Sequence, residues 1–148
     1  MTTQTRPSDR ATDPGAPAGS HVVVVFSHSR AFREQIRLAV GRRPAPDLGR
    51  IDYIECTTGE QVIAQADAGG IDLMIFDGEA QPTGGMGICR QLKSELADCP
   101  KILVVVARRD DRWLATWSRA DGIISQPLDA AQAAAAAADL LRVAALTR

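Results

Sequence analysis

The 148-residue sequence lacks several features that would direct it to particular functions. Its 17 basic and 18 acidic side chains nearly cancel and form no block of one sign, so there is no basic stripe for nucleic acid or an anionic membrane. Its strongly apolar runs, such as Val22 to Phe26, are far too short to span a bilayer. We therefore expect a cytoplasmic protein that neither binds nucleic acid nor inserts into the membrane.

Cysteine is also scarce, and its spacing excludes the usual sites. Cys56, Cys89 and Cys99 are odd in number and show neither a CxxC nor a His-paired pattern. This usage is typical of reduced thiols in a cytoplasmic protein. The glycines from Gly84 to Gly87 fit neither GxGxxG nor GxxxxGK, and we interpret them as a loop. The sequence thus predicts no metal and no cofactor.

Residues 1–20 differ in composition from the rest of the chain. They contain Pro, Gly, Ser, Thr and Asp with almost no large apolar side chain, which predicts a flexible amino-terminal arm. Whether this arm is a binding element stays open. Residues 21–148 are predicted to form one domain, because 45% of the chain is hydrophobic and a chain of this length can bury a sizeable core.

From His21 onward, short apolar runs alternate with longer segments of helical period. This alternation is typical of an α/β fold of three layers, in which helices cover both faces of a doubly wound parallel sheet. Five strands are predicted: Val22–Phe26, Ile51–Cys56, Ile71–Phe76, Ile102–Val106 and Gly122–Ser125.

Polar residues mark the ends of the predicted helices. Ser29 is expected to cap the first helix, and Gly41 to end it. Thr57 and Glu60 have capping-box spacing before the second helix. Asp129 is expected to cap a last, alanine-rich helix.

The carboxyl ends of the strands are where doubly wound sheets bind ligands. Over residues 21–146 the chain resembles a bacterial response-regulator receiver domain, and the strongest stretch is IDLMIFDGEAQPTGGMGICRQLK. PKILVVVA and ADGIISQPLD resemble the family's fourth and fifth strands. The resemblance implies a flavodoxin-like strand order of 2-1-3-4-5, with Asp77 as the equivalent of the phosphoacceptor.

Measured against the receiver family, the other functional positions are altered. The acidic pair that holds Mg²⁺ with the acceptor is matched by Ser27 and His28. The hydroxyl residue that senses the phosphoryl group is matched by Val106, the switch aromatic by Ile123 and the lysine by Gln126. The resemblance therefore implies a degenerate receiver.

Two of the remaining polar residues have alternative interpretations. Asp77 is expected to cap the following loop by accepting backbone N–H bonds, and phosphorylation is the alternative. His28 is expected to be a hydrogen bonder at the end of a loop, with catalysis or metal binding as the alternative.

The fourth helix carries an unusual pair of tryptophans. Trp113 and Trp117 lie four residues apart, beside Arg112, and Trp and Arg are common interface anchors. In the receiver family this helix belongs to the output face. We therefore predict a protein-binding surface; the alternative is that one tryptophan packs on the sheet with Leu114.

The function that this pattern favours is a pseudo-receiver that is not an enzyme and acts by binding protein as an accessory or regulatory subunit. Stand-alone degenerate receivers of this kind resemble one associated with respiratory NADH:quinone oxidoreductase (complex I), which is the named candidate partner. Such a partner would hold the protein at the inner face of the membrane. The alternatives are a phospho-accepting response regulator using Asp77 in two-component signalling, and a nucleotide-binding or redox enzyme.

Overall fold

Five parallel strands form one sheet in the computed structural model, which describes residues 20–79 and 84–146. The sheet order is β2-β1-β3-β4-β5, which confirms the flavodoxin-like topology. The strands are β1 His21–Phe26, β2 Ile51–Cys56, β3 Leu73–Asp77, β4 Lys101–Val106 and β5 Gly122–Ser125. The predicted amino-terminal arm lies outside the described residues, except for Ser20.

Helices cover both faces of the sheet. The helices are α1 Arg30–Val40, α2 Gly59–Ala68, α3 Gly85–Glu95, α4 Arg112–Trp117 and α5 Ala130–Leu146. α1 and α5 pack against each other and against one face, and α2 and α3 pack against the other face with α4 beside α3. None of the described helices combines the length and the apolar character needed to cross a membrane.

The central strands are apolar because both of their faces are buried. In β1, Val22, Val24 and Phe26 point into the α2/α3 layer, whereas Val23 and Val25 point into the α1/α5 layer. Successive side chains of a strand alternate between faces, so an unbroken apolar run supplies two core layers at once. These layers hold the strand ends in fixed positions at the carboxyl edge of the sheet.

The predicted helix ends are confirmed for α1 and α5. The Ser29 hydroxyl accepts a hydrogen bond from the Phe32 amide at 3.2 Å, and Gly41 ends α1 with φ of 79°. That positive φ favours glycine, which has no Cβ to clash. The Asp129 carboxylate accepts from the Ala131 amide at 3.1 Å at the start of α5.

The predicted capping box of α2 is wrong by one residue. Thr58, not Thr57, is the cap, and its hydroxyl accepts from the Gln61 amide at 3.2 Å. The Gln61 side chain reaches back to the backbone at Thr57 and Thr58, so Gln61 takes the role predicted for Glu60. Both pairs have the same spacing, and the local sequence alone does not distinguish them.

Candidate functional site at the carboxyl edge of the sheet

Ser27 and Asp77 meet where β1 and β3 end. The two strands are neighbours with Phe26 opposite Phe76, so the residues that follow lie side by side. The Ser27 hydroxyl donates a hydrogen bond of 2.7 Å to Asp77 Oδ2, and Ser27 is only 1% exposed. A neutral hydroxyl therefore occupies the place beside Asp77 where the receiver family has an acid.

The rest of the Asp77 carboxylate is also engaged by the protein. Asp77 Oδ1 accepts from the Glu79 amide at 2.9 Å, which confirms the predicted role of Asp77 in capping the following loop. The Ser27 hydroxyl in turn accepts from the Ser29 amide at 2.9 Å. Both carboxylate oxygens thus have a donor supplied by the chain itself.

An arginine that the sequence analysis did not identify holds this arrangement from α1. Arg33 Nη1 donates to the Ser27 carbonyl at 2.7 Å, and Arg33 Nε pairs with Glu55 at 2.9 Å. The hydrogen bond from Arg33, aided by the charge of nearby Arg37, keeps the pKa of Glu55 below its usual value despite partial desolvation. The partners of Arg33 lie 6 and 22 residues away, so local spacing gave no signal.

His28 does not act as the hydrogen bonder that we predicted. Its side chain is exposed and its ring meets the Phe26 ring edge-to-face, with centroids 5.8 Å apart. Within the described residues it has no hydrogen-bond partner, because the chain turns outward immediately after the buried Ser27.

The residues at this edge do not fit Mg²⁺, which the receiver family binds there. The matching positions supply one carboxylate, one hydroxyl and one imidazole, and Asp77 already accepts two hydrogen bonds. Mg²⁺ prefers hard oxygen ligands in octahedral geometry and holds its hydration shell strongly. Among the described residues, no group of three or more His, Cys, Asp or Glu side chains could hold a metal ion.

Of the remaining receiver positions, Val106 and Gln126 lie at the same edge, one and two strands further along, and Ile123 lies inside β5. Val106 ends β4 and is completely buried, and the Gln126 amide donates to its carbonyl at 2.9 Å. The Gln126 side chain is exposed, and the peptide bond to Pro127 is cis. Ile123 lies on β5 opposite Val104 and packs against the α2/α3 core layer. None of these three side chains carries a charge or a hydroxyl.

The interpretation of Gly84 to Gly87 as a loop is wrong for most of that stretch. Gly84 is the cap of α3, and Gly85, Met86 and Gly87 form its first turn. A Cβ on Gly85 would collide with the Asp77 carbonyl oxygen and with the Phe76 Cβ. The glycine is therefore required for close approach of α3 to the end of β3, not for a phosphate cradle. Residues 80–83 lie outside the described part of the chain.

The tryptophans of α4 form a separate surface near the β5 edge of the sheet. Trp113 is 69% exposed and Trp117 53% exposed, so the alternative in which one of them packs on the sheet is wrong. Arg112, which directly precedes Trp113, is also exposed. Arg90 of α3 stacks on Trp117, 4.6 Å from the ring centroid, and donates to its carbonyl at 2.7 Å. We call Arg90, Arg112, Trp113 and Trp117 the α4 surface.

All three cysteines are free thiols, as the sequence predicts. Burial raises the pKa of Cys56 and of Cys89 to about 11, so neither forms a thiolate readily near neutral pH. These thiols behave as small core side chains.

Comparison with known proteins assigns the chain to a family. No family model matches it. The uncharacterized response regulatory protein Rv3143 of Mycobacterium tuberculosis strain H37Rv is 54% identical over 107 residues, which are 72% of this chain and 80% of the relative. Its counterpart in strain CDC 1551 gives the same values.

Solved receiver domains share the fold at low sequence identity. The signal receiver domain of a LuxO repressor protein from Vibrio parahaemolyticus superimposes with a TM-score of 0.72 at 16% identity, covering 86% of this chain and 95% of that one. The receiver domain of the Francisella response regulator 1452 gives 0.69 at 12% identity, covering 83% and 98%. The chain therefore belongs to the response regulator family, and its fold is that of the family's receiver domain.

Proposed function

We propose that this receiver does not accept a phosphoryl group at Asp77 and acts as a protein-binding module. The observation that carries the proposal is the hydrogen bond from the Ser27 hydroxyl to Asp77 Oδ2. It engages the carboxylate with a neutral donor at the point where the chemistry of a receiver requires a cation.

Phosphoryl transfer to an aspartate brings together two anionic groups, so catalysis depends on cations that neutralise the developing charge. Gln126 and Val106 supply no positive charge and no hydroxyl at the strand ends. Arg33 of α1, which reaches the end of β1, already pairs with Glu55 and with the Ser27 carbonyl. The Asp77 carboxylate is therefore without the charge compensation that the reaction needs.

A receiver without this chemistry has no phosphorylation-driven change of state. Its binding is then constitutive, or is set by which partner is present. We accordingly propose that the protein is not an enzyme and serves as an accessory or regulatory subunit of a larger assembly.

The α4 surface is the proposed contact. Trp113 and Trp117 expose large rings on one short helix. A tryptophan side chain that enters an interface buries roughly 150–250 Å² of surface. The stacked guanidinium of Arg90 holds one ring in a defined orientation before any partner arrives. Preorganised aromatic anchors beside arginine are typical of binding hot spots.

The named candidate assembly is respiratory NADH:quinone oxidoreductase, complex I. It is supported by the resemblance of the chain to stand-alone degenerate receivers and by an interaction surface of the kind that an accessory subunit needs. In this proposal the protein lies in the cytoplasm, at the inner face of the membrane through its partner.

Incubation with a small phosphodonor and Mg²⁺ tests the loss of phosphoryl transfer. We expect no label on the wild-type protein and none on Asp77→Asn. A repaired variant that carries Ser27→Asp, His28→Asp, Val106→Thr and Gln126→Lys should gain label, and Asp77→Asn in that background should remove it. Label on Asp77 of the wild type would overturn the proposal.

The second candidate function, a phospho-accepting response regulator, is favoured by one observation. Asp77 keeps its place as the last residue of β3 and is only half-buried. The same labelling experiment decides between the two functions, because only a phospho-accepting regulator should become labelled at Asp77 in the wild-type protein.

Purification of the tagged protein from its native cells under mild conditions, membranes included, tests the adaptor role. We expect a large assembly, with complex I as the named candidate, to be recovered in fixed ratio. Trp113→Ala with Trp117→Ala should abolish this recovery while the fold, measured by circular dichroism, is kept. Leu146→Ala, which removes an 84% exposed apolar side chain at the end of α5, is the matched control. Recovery with a sensor kinase instead would contradict the proposal.

A further inference from the structure

A cleft of about 730 Å³ lies between the end of α1 and the start of β2. We call it the β2-edge cleft and define it by Leu38 and Arg42 on the α1 side and by Arg50 and Tyr53 on the β2 side. It lies at the end of the sheet opposite to β5. Neither the receiver chemistry nor the α4 surface uses it.

The strand that borders this cleft has an open edge. β2 pairs only with β1 within the sheet, and the His21 amide donates to the Arg50 carbonyl. In a parallel ladder the hydrogen-bonding groups of successive residues point to alternate sides. The backbone groups of Tyr53 and Glu55 therefore point outward, and no other described backbone pairs with them. On this side, the Ile51 amide is covered by the Arg42 carbonyl at 2.7 Å.

The cleft carries positive charge that none of the described side chains neutralises. Arg42 and Arg50 are exposed and form no ion pair with any described residue. Two of the other charged side chains in the lining form ion pairs: Glu34 pairs with Arg30, and Arg37 pairs with Glu55. Asp52 is the remaining charged side chain of the described lining. Two arginines thus face one carboxylate.

Apolar surface stands beside these charges. Leu38 is 83% exposed on α1. The Tyr53 ring is fixed across from it, because its hydroxyl donates to the Gly41 carbonyl at 2.6 Å and the Arg37 guanidinium lies 5.5 Å from the ring centroid. The cleft therefore offers a rigid wall to an apolar side chain.

From this combination we infer that the β2-edge cleft binds an extended, acidic segment of a partner protein, which adds to the sheet beside β2. Main-chain hydrogen bonds to Tyr53 and Glu55 would supply affinity, as in other complexes formed by strand addition. Carboxylates of the segment pair with Arg42 and Arg50, and an apolar side chain packs against Leu38.

Two other occupants fit less well. Residues 1–19 of this chain carry two arginines and two aspartates, so they have no net negative charge to complement the two arginines of the cleft. They also contain three prolines, which cannot donate a hydrogen bond to a strand ladder. A second copy related by two-fold symmetry would bring the same cationic surface to both sides of the contact. An acidic strand from another protein can both pair with the open backbone groups of β2 and neutralise the two arginines.

This inference gives the protein two contact surfaces at opposite ends of one sheet. β2 and β5 are separated by four strand spacings, about 19 Å at 4.8 Å each. A rigid sheet of this width can hold two partner elements at a fixed distance.

Titration with a short peptide of alternating valine and glutamate, followed in the amide NMR spectrum of the full chain, tests the inference. We expect shifts and slowed hydrogen exchange at the Tyr53 and Glu55 amides. The same peptide with lysine in place of glutamate should bind about tenfold more weakly or not at all. Equal binding of both peptides, shifts confined to other elements, or no shifts would overturn the inference.

Charge-reversal variants identify the side chains responsible. Arg42→Glu with Arg50→Glu should weaken binding of the glutamate peptide by about tenfold or more. Arg109→Glu with Arg119→Glu makes the same change of charge at two exposed arginines outside both surfaces and should leave the peptide affinity unchanged. An equal loss in both pairs would show a non-specific charge effect and overturn the inference, whereas the proposed role of the α4 surface would stand.

A photo-crosslinking residue placed at position 38 tests the native occupant in cells. A crosslink to an acidic strand of another protein, lost in the Arg42→Glu and Arg50→Glu variant, supports the inference. A crosslink to residues 1–19, to a second copy of this chain, or to nothing would overturn it.

Discussion

The hydrogen bond between Ser27 and Asp77 can be measured as a free energy. Ser27→Ala removes a buried hydroxyl that donates to a carboxylate at 2.7 Å and accepts from the Ser29 amide. A hydrogen bond to a charged group contributes about 1.5–3 kcal/mol, and the amide left behind can turn to water at the surface of the loop. We expect Ser27→Ala to lower the free energy of unfolding by about 2 kcal/mol.

A double-mutant cycle separates this bond from other effects of the substitution. In an Asp77→Ala background the same Ser27→Ala change should cost much less, with a coupling of about 1–2 kcal/mol between the two residues. Urea unfolding followed by circular dichroism supplies the four free energies, and an unchanged m-value shows that the unfolded state is the same. A coupling below about 0.5 kcal/mol, the usual additivity limit, would refute the view that Ser27 restrains the Asp77 carboxylate.

Three further predictions concern other parts of the molecule. Gly85→Ala should destabilise the fold by about 2 kcal/mol, because its Cβ meets the end of β3, and an unchanged urea midpoint would contradict this close approach. Burial raises the pKa of the Cys56 and Cys89 thiols from 9.0 to about 11, so the unfolded chain loses these protons at a lower pH than the folded protein. The free energy of unfolding should therefore fall as the pH rises from 9.0 to about 11, and it should fall less in a Cys→Ala variant. Arg90→Ala should cost about 1 kcal/mol and shift the emission of Trp117, and Arg90→Lys with unchanged emission would show that stacking is unimportant.

The fold was predictable because its signals are local and repeated. Unbroken runs such as Val22 to Phe26 fit only strands buried on both faces, and Ser29 and Asp129 mark helix starts by their own side chains. The strand ends then located the candidate site without further information. The α2 cap was misplaced because consecutive threonines precede consecutive Glu and Gln, which gives two equal patterns.

The contacts within the site depend on tertiary register and had no local signal. The bond between Ser27 and Asp77 joins residues 50 positions apart, and the stacking of Arg90 on Trp117 joins residues 27 apart. The start of α3 at Gly85 depends on how closely α3 approaches β3, and the local glycine-rich sequence does not reveal this distance. In these cases the neighbour, not the residue type, decides the role.

The buried valine at the end of β4 has a consequence for how several partners would bind. Val106 ends β4, between β3 with Asp77 and β5; it is completely buried and has no hydroxyl. Nothing at this position would make occupancy of one end of the sheet alter the affinity at the other, so the coupling free energy between the two ends should be near zero. A partner that contacts both ends would then bind more tightly through avidity alone, because binding at one site raises the effective concentration at the second. The domain would hold its partners at a fixed separation without transmitting a signal between them.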